Sequence, residues 1–227
     1  MRTTCTPAYY KATAIVLFLI CLVPQLTWAL APYQTGEKLF VAPTTGVNIR
    51  TEPSLRAPVL AQLPYNTAVT LLTDSLAAAP LEVKVSDFKG GFLPLQGQWV
   101  KVKAGKLTGF VFDGMLTPFK GLQLGEHQED LYYAATFGQP SKTVIPKSEE
   151  VAGRKLRYET VITTYPNGLE QEYTFFDDCH DLKYTFSMPF NEAYWIIARM
   201  MVGADAAQEA QITQEDGKTV FTFYSCT

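Results

Sequence analysis

The sequence predicts a mostly β chain in two parts: a small β-barrel of short strands, then an α+β domain with an antiparallel sheet and two helices. Three observations carry this reading. Residues 38 to 112 alternate short apolar-patterned runs with proline and glycine turns. Residues 126–138 and 190–203 carry helix start and stop signals. Asn167-Gly168 and Asp216-Gly217 sit between extended runs, where a tight hairpin turn needs positive φ.

The N-terminus stands apart from this fold. Residues 12 to 23 are almost continuously apolar, preceded by Arg2 and Lys11 and followed by Pro24 and Thr27-Trp28-Ala29. A charged start, an apolar stretch of about a dozen residues and a small residue at the end describe a secretory signal peptide over residues 1–29, cleaved after Ala29. The run is shorter than the roughly 20 residues a membrane span needs, so no membrane span is expected after cleavage.

The chain carries a net charge of −3, and the signal removes two cations and no acid. Mild acidity argues against nucleic acid or anionic lipid as the main partner, since both need a basic footprint. Cys5 and Cys21 leave with the signal, and Cys179 and Cys226 remain. Two cysteines in an exported chain invite a disulfide; the alternative is a pair of separate buried thiols.

The first domain, residues 30–119, reads as strands at Lys38–Ala42 and Val47–Arg50, then a hairpin of Val59–Leu63 and Ala68–Leu72 around Pro64-Tyr65-Asn66. A second hairpin joins Trp99–Lys103 to Gly109–Phe112. Closing such strands into a barrel would remove exposed edges. The strings Val47-Asn48-Ile49-Arg50-Thr51-Glu52-Pro53-Ser54 and Gly97-Gln98-Trp99-Val100-Lys101-Val102, the second followed by Thr108-Gly109-Phe110-Val111-Phe112, resemble the bacterial SH3 (SH3b) family over about residues 36–117. The resemblance implies an SH3-like barrel in an exported bacterial protein, periplasmic or extracellular, that binds cell-wall peptide, glycan or an envelope protein.

The chain departs from that family between Leu72 and Trp99, where an insertion at about 73–98 replaces a short loop. It contains an expected strand, Leu81–Val85, and then Phe88 and Phe92 flanking Gly90-Gly91. Loops on a rigid scaffold often carry binding, and these rings, with Tyr65 in the first hairpin turn, are the candidate ligand contacts. The alternative is that the insertion packs on the barrel or the second domain and hides its rings. Trp99 is expected to pack for its area, Arg50 to be solvated or locally paired, and Phe110 and Phe112 to divide between an inward and an outward ring.

The second domain, residues 120–227, opens with a helix from Glu126 to Phe137, acidic in its first turn and stopped by Gly138 and Pro140. Strands follow at Arg154–Tyr165, Leu169–Asp177 and Leu182–Ser187. The helix Phe190–Val202 is apolar around most of its circumference and is expected to lie against a sheet. A hairpin of Ala210–Thr213 and Val220–Ser225 ends the chain. Tyr133 to Pro140, read as Y-x-x-x-F-G-x-P, resembles the BamE/SmpA-type envelope domains over one helix and one turn, and no site is carried over.

No catalytic centre, cofactor or metal site is expected. A zinc site needs about three His, Cys or carboxylate ligands, and the chain has only His127 and His180. In Asp177-Asp178-Cys179-His180-Asp181 adjacent strand residues point to opposite faces, and a turn explains the run of Asp. A non-enzymatic wall- or protein-binding module is the leading reading. A periplasmic interaction or inhibitor protein with its partner surface on the second domain is the alternative, and a hydrolase built on Cys179 is a third.

Overall fold

The computed structural model describes residues 33–72, 81–122, 129–151, 153–202 and 210–226. The signal segment, the start of the first expected helix and the Gly203 cap lie outside the described residues.

The first part is one antiparallel sheet of seven strands: β1 (Lys38–Val41), β2 (Val47–Arg50), β3 (Val59–Leu63), β4 (Ala68–Leu71), β7 (Trp99–Ala104), β8 (Leu107–Phe112) and β9 (Leu116–Thr117). Their order is β3-β2-β8-β7-β4-β1-β9. Alternate residues of these strands, among them Leu39, Val41, Ile49, Val69, Leu71, Val100, Val102 and Val111, meet in a single core. The sheet therefore wraps around one set of apolar side chains, the cheapest way to remove both halves' apolar area from water.

Two expectations need correction. β3 and β4 do not pair as a hairpin; β3 pairs with β2, and β4 with β1 and β7. The turn between them spends its backbone on β1 instead: the Asn66 amide donates to the Val41 carbonyl at 2.9 Å, and the Val41 amide to the Thr67 carbonyl at 3.0 Å. Nor does pairing close the barrel, because the terminal strands β3 and β9 are not bonded to each other.

The inserted segment forms a two-stranded ribbon, β5 (Leu81–Ser86) and β6 (Phe92–Gly97), which no other strand joins. β6 was not legible from periodicity because Pro94 interrupts it. A proline is tolerated there since one side of the ribbon is an unpaired edge.

The second part is a six-stranded antiparallel sheet in the order β10-β11-β12-β13-β15-β14, from β10 (Ser141–Val151), β11 (Arg154–Tyr165), β12 (Leu169–Phe176), β13 (Cys179–Phe186), β14 (Gln211–Glu215) and β15 (Lys218–Cys226). β10, like β6 and the two-residue β9, was not expected from the sequence. Like β6 it carries a proline, Pro146, and is an edge strand, pairing with β11 along its whole length. Proline and lysine on such an edge hinder pairing with another chain. The third expected strand begins earlier, at Cys179, because Asp177 and Asp178 both adopt positive φ, 50° and 61°, and close a two-residue hairpin. The last hairpin turns at Asp216-Gly217, again with positive φ at both residues.

Helices α1 (Glu129–Phe137) and α2 (Phe190–Met200) cover one face of this sheet. Tyr133 and Phe137 of α1 and Ala193, Ile196 and Ile197 of α2 pack with Tyr165, Leu169, Tyr184, Phe186 and Phe221 of the strands. Cys179 and Cys226 are disulfide-bonded and stand directly opposite each other in register. The bridge thus joins two strand ends already paired, and the alternative of two separate buried thiols falls.

Replacing both cysteines by serine (Cys179→Ser/Cys226→Ser) is expected to lower the unfolding free energy by up to about 4 kcal/mol, the loop entropy of a 47-residue separation. Urea unfolding reads this as a lower midpoint; an unchanged midpoint contradicts it.

Candidate functional site

α2 has two buried faces. One meets the six-stranded sheet; the other carries Asn191, Tyr194, Trp195 and Ala198 toward the first domain and its insertion. Tyr194 is 3 % exposed and packs with Leu95 of β6 and Phe112 of β8, flanked by Val83, Val85, Leu93 and Met115. The polar tips on this face all find carbonyls of the first domain. The Asn191 amide donates to Gln96 O at 2.7 Å, the Tyr194 hydroxyl to Ser86 O at 3.0 Å and the Trp195 indole N–H to Gly114 O at 2.8 Å. A helix apolar nearly all round is one buried on both sides.

This packing decides where the candidate rings lie. Phe88 stacks on Tyr194, centroids 5.8 Å apart and planes 15° from parallel. Its backbone sits at φ 66°, a conformation a bulky residue adopts only when surroundings impose it. The turn is fixed by Asp87, whose Oδ1 accepts the amides of Lys89 and Gly91 at 2.9 and 2.7 Å. Phe92, by contrast, is 70 % exposed. The two phenylalanines thus do not share one ledge: one is in the interdomain joint, the other in solvent.

Tyr65 is at the seam between the domains. Its hydroxyl donates to Leu122 O at 2.8 Å, and its neighbour Asn66 grips Gly121 twice, accepting its amide at 2.8 Å and donating to its carbonyl at 2.9 Å. Burial pushes the Tyr65 pKa up, against the lowering effect of Arg199. A cavity of about 30 Å³ opens here beside Phe119, Tyr132, Trp195 and Arg199. That is room for about one water and not for a sugar or peptide, which needs hundreds of cubic ångströms.

The motif residues prove structural. Arg50 Nη1 donates to Ala57 O at 2.7 Å and so pins the 51–58 loop. A side chain at Gly109 would meet the Arg50 carbonyl and Ile49, so glycine is required where β8 passes β2. Trp99 is buried. Phe110 and Phe112 do not divide between faces, since residues two apart on a strand share one. Val111 faces the barrel core, and both rings lie outside it, Phe112 under α2 and Phe110 beside Lys101.

The family model described as bacterial SH3 domain matches residues 45–117. Over this segment, about a third of the chain, the protein is similar to bacterial SH3 domains. No curated protein and no solved structure gives a match to the chain. The match spans the ribbon and ends before α1, so α2 and its joint to the SH3 sheet lie partly outside it.

Two further features belong to the site's electrostatics and surface. Tyr33 donates its hydroxyl to Glu192 Oε1 at 3.0 Å, tying the first described residue to the start of α2. Glu192 is 5 % exposed, and burial raises its pKa despite that bond. Glu37 and the buried Asp113 also face this group of acids. On the second domain, the face that bears the helices continues beyond them as Val144, Val161 and Tyr173, consecutive in register, with Phe175 and His180 alongside. Val144, Tyr173 and Phe175 are exposed, and the Tyr173 hydroxyl lies 2.8 Å from Nδ1 of His180. Cys179, being in a disulfide, has no thiolate to offer as a nucleophile. Among the described residues no group of three His, Cys, Asp or Glu is arranged to hold a metal ion, and no helix is long and apolar enough to cross a membrane.

Two outcomes check this joint. Tyr194→Phe keeps the stack with Phe88 but leaves Ser86 O without its donor, so it is expected to cost about 1 kcal/mol in chemical unfolding, whereas Phe92→Ala is expected to change stability little. Equal effects would contradict the assignment. An acid whose folded pKa is raised stabilises below its unfolded pKa and loses that contribution as pH rises through the folded value. Stability is therefore expected to fall across the mildly acidic range, and Glu192→Gln to flatten this fall; an unaltered pH profile in the variant contradicts it.

Proposed function

We propose that this is an exported, non-enzymatic bacterial envelope protein whose SH3 module binds cell-wall peptide or glycan, or a protein of the envelope. The observation that carries the reading is the match to bacterial SH3 domains over residues 45–117. The apolar segment ending at Ala29 and the Cys179–Cys226 disulfide support export, since disulfides persist in oxidising compartments. Within the module, Phe92 is the insertion's outward ring and the candidate ligand contact. Phe88 and Tyr65 serve binding indirectly, by holding the insertion and the seam in place.

A second reading has its own support: the exposed strip of Val144, Tyr173 and Phe175 makes the second domain a partner surface, with the barrel as its mount. Sedimentation with purified peptidoglycan sacculi separates the two. The wild type is expected to be retained, and Phe92→Ala to weaken retention by about tenfold, as loss of an exposed aromatic anchor does. No retention of the wild type removes the wall-binding version. Retention that tolerates Phe92→Ala but fails for Tyr173→Ala/Phe175→Ala favours the second domain.

A further inference from the structure

The joint with α2 covers only one end of the SH3 sheet's outer face, and the other end is basic. Strand register fixes what lies there. Trp99 opposite Phe112 forms the covered row. The next row runs Lys101, Phe110, Arg50, and the row beyond it runs Lys38, Thr70, Lys103, Thr108 across four strands. Lys106 closes the adjoining turn between β7 and β8. Lys38, Thr70, Lys103 and Lys106 are exposed, and no acid stands opposite any of them in register.

Two of the cations are held in place by rings. Lys38 Nζ lies 5.4 Å from the Phe40 centroid, and Lys101 Nζ lies 6.0 Å from that of Phe110. A cation resting on an aromatic face loses part of its side-chain freedom before any ligand arrives. Lys38, Lys103 and Lys106 form no ion pair among the described residues. Lys38 and Lys103 are two strands apart, on the order of 10 Å.

The charge of the whole chain hides this face. Residues 33–122 hold nine Lys and Arg against six Asp and Glu, while residues 123–227 hold eight against sixteen. An extended polyanion such as a nucleic acid, or an anionic bilayer, large enough to face both domains would also meet the second domain's excess of acids. A short ligand carrying a few carboxylates would meet only the lysines.

We propose that the open end of the SH3 sheet's outer face, centred on Lys38, Thr70 and Lys103, is a binding surface for an acidic peptide. The inference rests on the wall-binding reading in naming the ligand's chemistry, a peptide bearing free carboxylates and not a neutral glycan. The lysine ammonium groups take the carboxylates, and the hydroxyls of Thr70 and Thr108 donate between them.

Fluorescence anisotropy with labelled hexaglutamate tests it on the full mature chain. Binding is expected, falling by about tenfold between low and physiological salt, and lost in Lys38→Glu/Lys103→Glu. Lys142→Glu/Lys218→Glu, an equal change of charge on the second domain, is expected to leave it intact. The proposal is overturned by no binding, by equal binding of hexaglutamine, by equal loss in both double variants, or by tighter binding of oligothymidylate or anionic vesicles. Sacculi separate the two readings. Retention of Lys38→Glu/Lys103→Glu on sacculi keeps the wall-binding function and overturns this surface as its seat. Hexaglutamate binding by a wild type that sacculi do not retain keeps the surface and removes the wall.

Discussion

Everything distinctive in this molecule depends on the double burial of α2. One face of the helix completes the core of the six-stranded sheet, and the other fills the concavity between the SH3 sheet and its inserted ribbon. The second contact is unusually specific for an interdomain one. Its apolar centre, Leu95, Phe112 and Tyr194, is as buried as either domain core, and three side chains of α2 each donate to a part-buried carbonyl of the first domain. Burying a carbonyl unpaired costs about 1 to 3 kcal/mol, so the joint has few alternative geometries. Domain interfaces within a chain are commonly polar and mobile, and this one is built like a core.

That constraint explains which residues are available for recognition. The insertion resembles a binding loop in the sequence because it is long and carries two phenylalanines. Its inner surface, including Phe88, is consumed in holding α2, and of its two phenylalanines Phe92 is the one left outward. The SH3 sheet likewise loses the Trp99 and Phe112 end of its outer face and keeps the lysine end. The motif letters that identify the module serve its backbone: Arg50 for a loop, Gly109 for a close strand crossing.

Much of the fold was legible because it is local. The turn with positive φ at Asp216-Gly217 follows from residue type, and the alternation in β2, β7 and β8 follows from a half-buried sheet. β6 and β10 escaped because Pro94 and Pro146 break the pattern, and both belong to strands with a free edge where proline costs little. The site was less legible, since it is made by contacts between residues about a hundred positions apart, such as Phe88 with Tyr194 and Gly114 with Trp195. The one available signal was the all-round apolarity of α2, which a single covering sheet does not require. The basic row was masked in a different way: net charge averages over two domains of opposite sign, and only strand register brings Lys38, Thr70 and Lys103 together.

If α2 belongs to both cores, neither domain can unfold without exposing the other's apolar surface. Differential scanning calorimetry of the mature chain tests this directly. The account predicts one transition whose calorimetric and van't Hoff enthalpies agree. Two resolved transitions, or a van't Hoff enthalpy near half the calorimetric value, would contradict it.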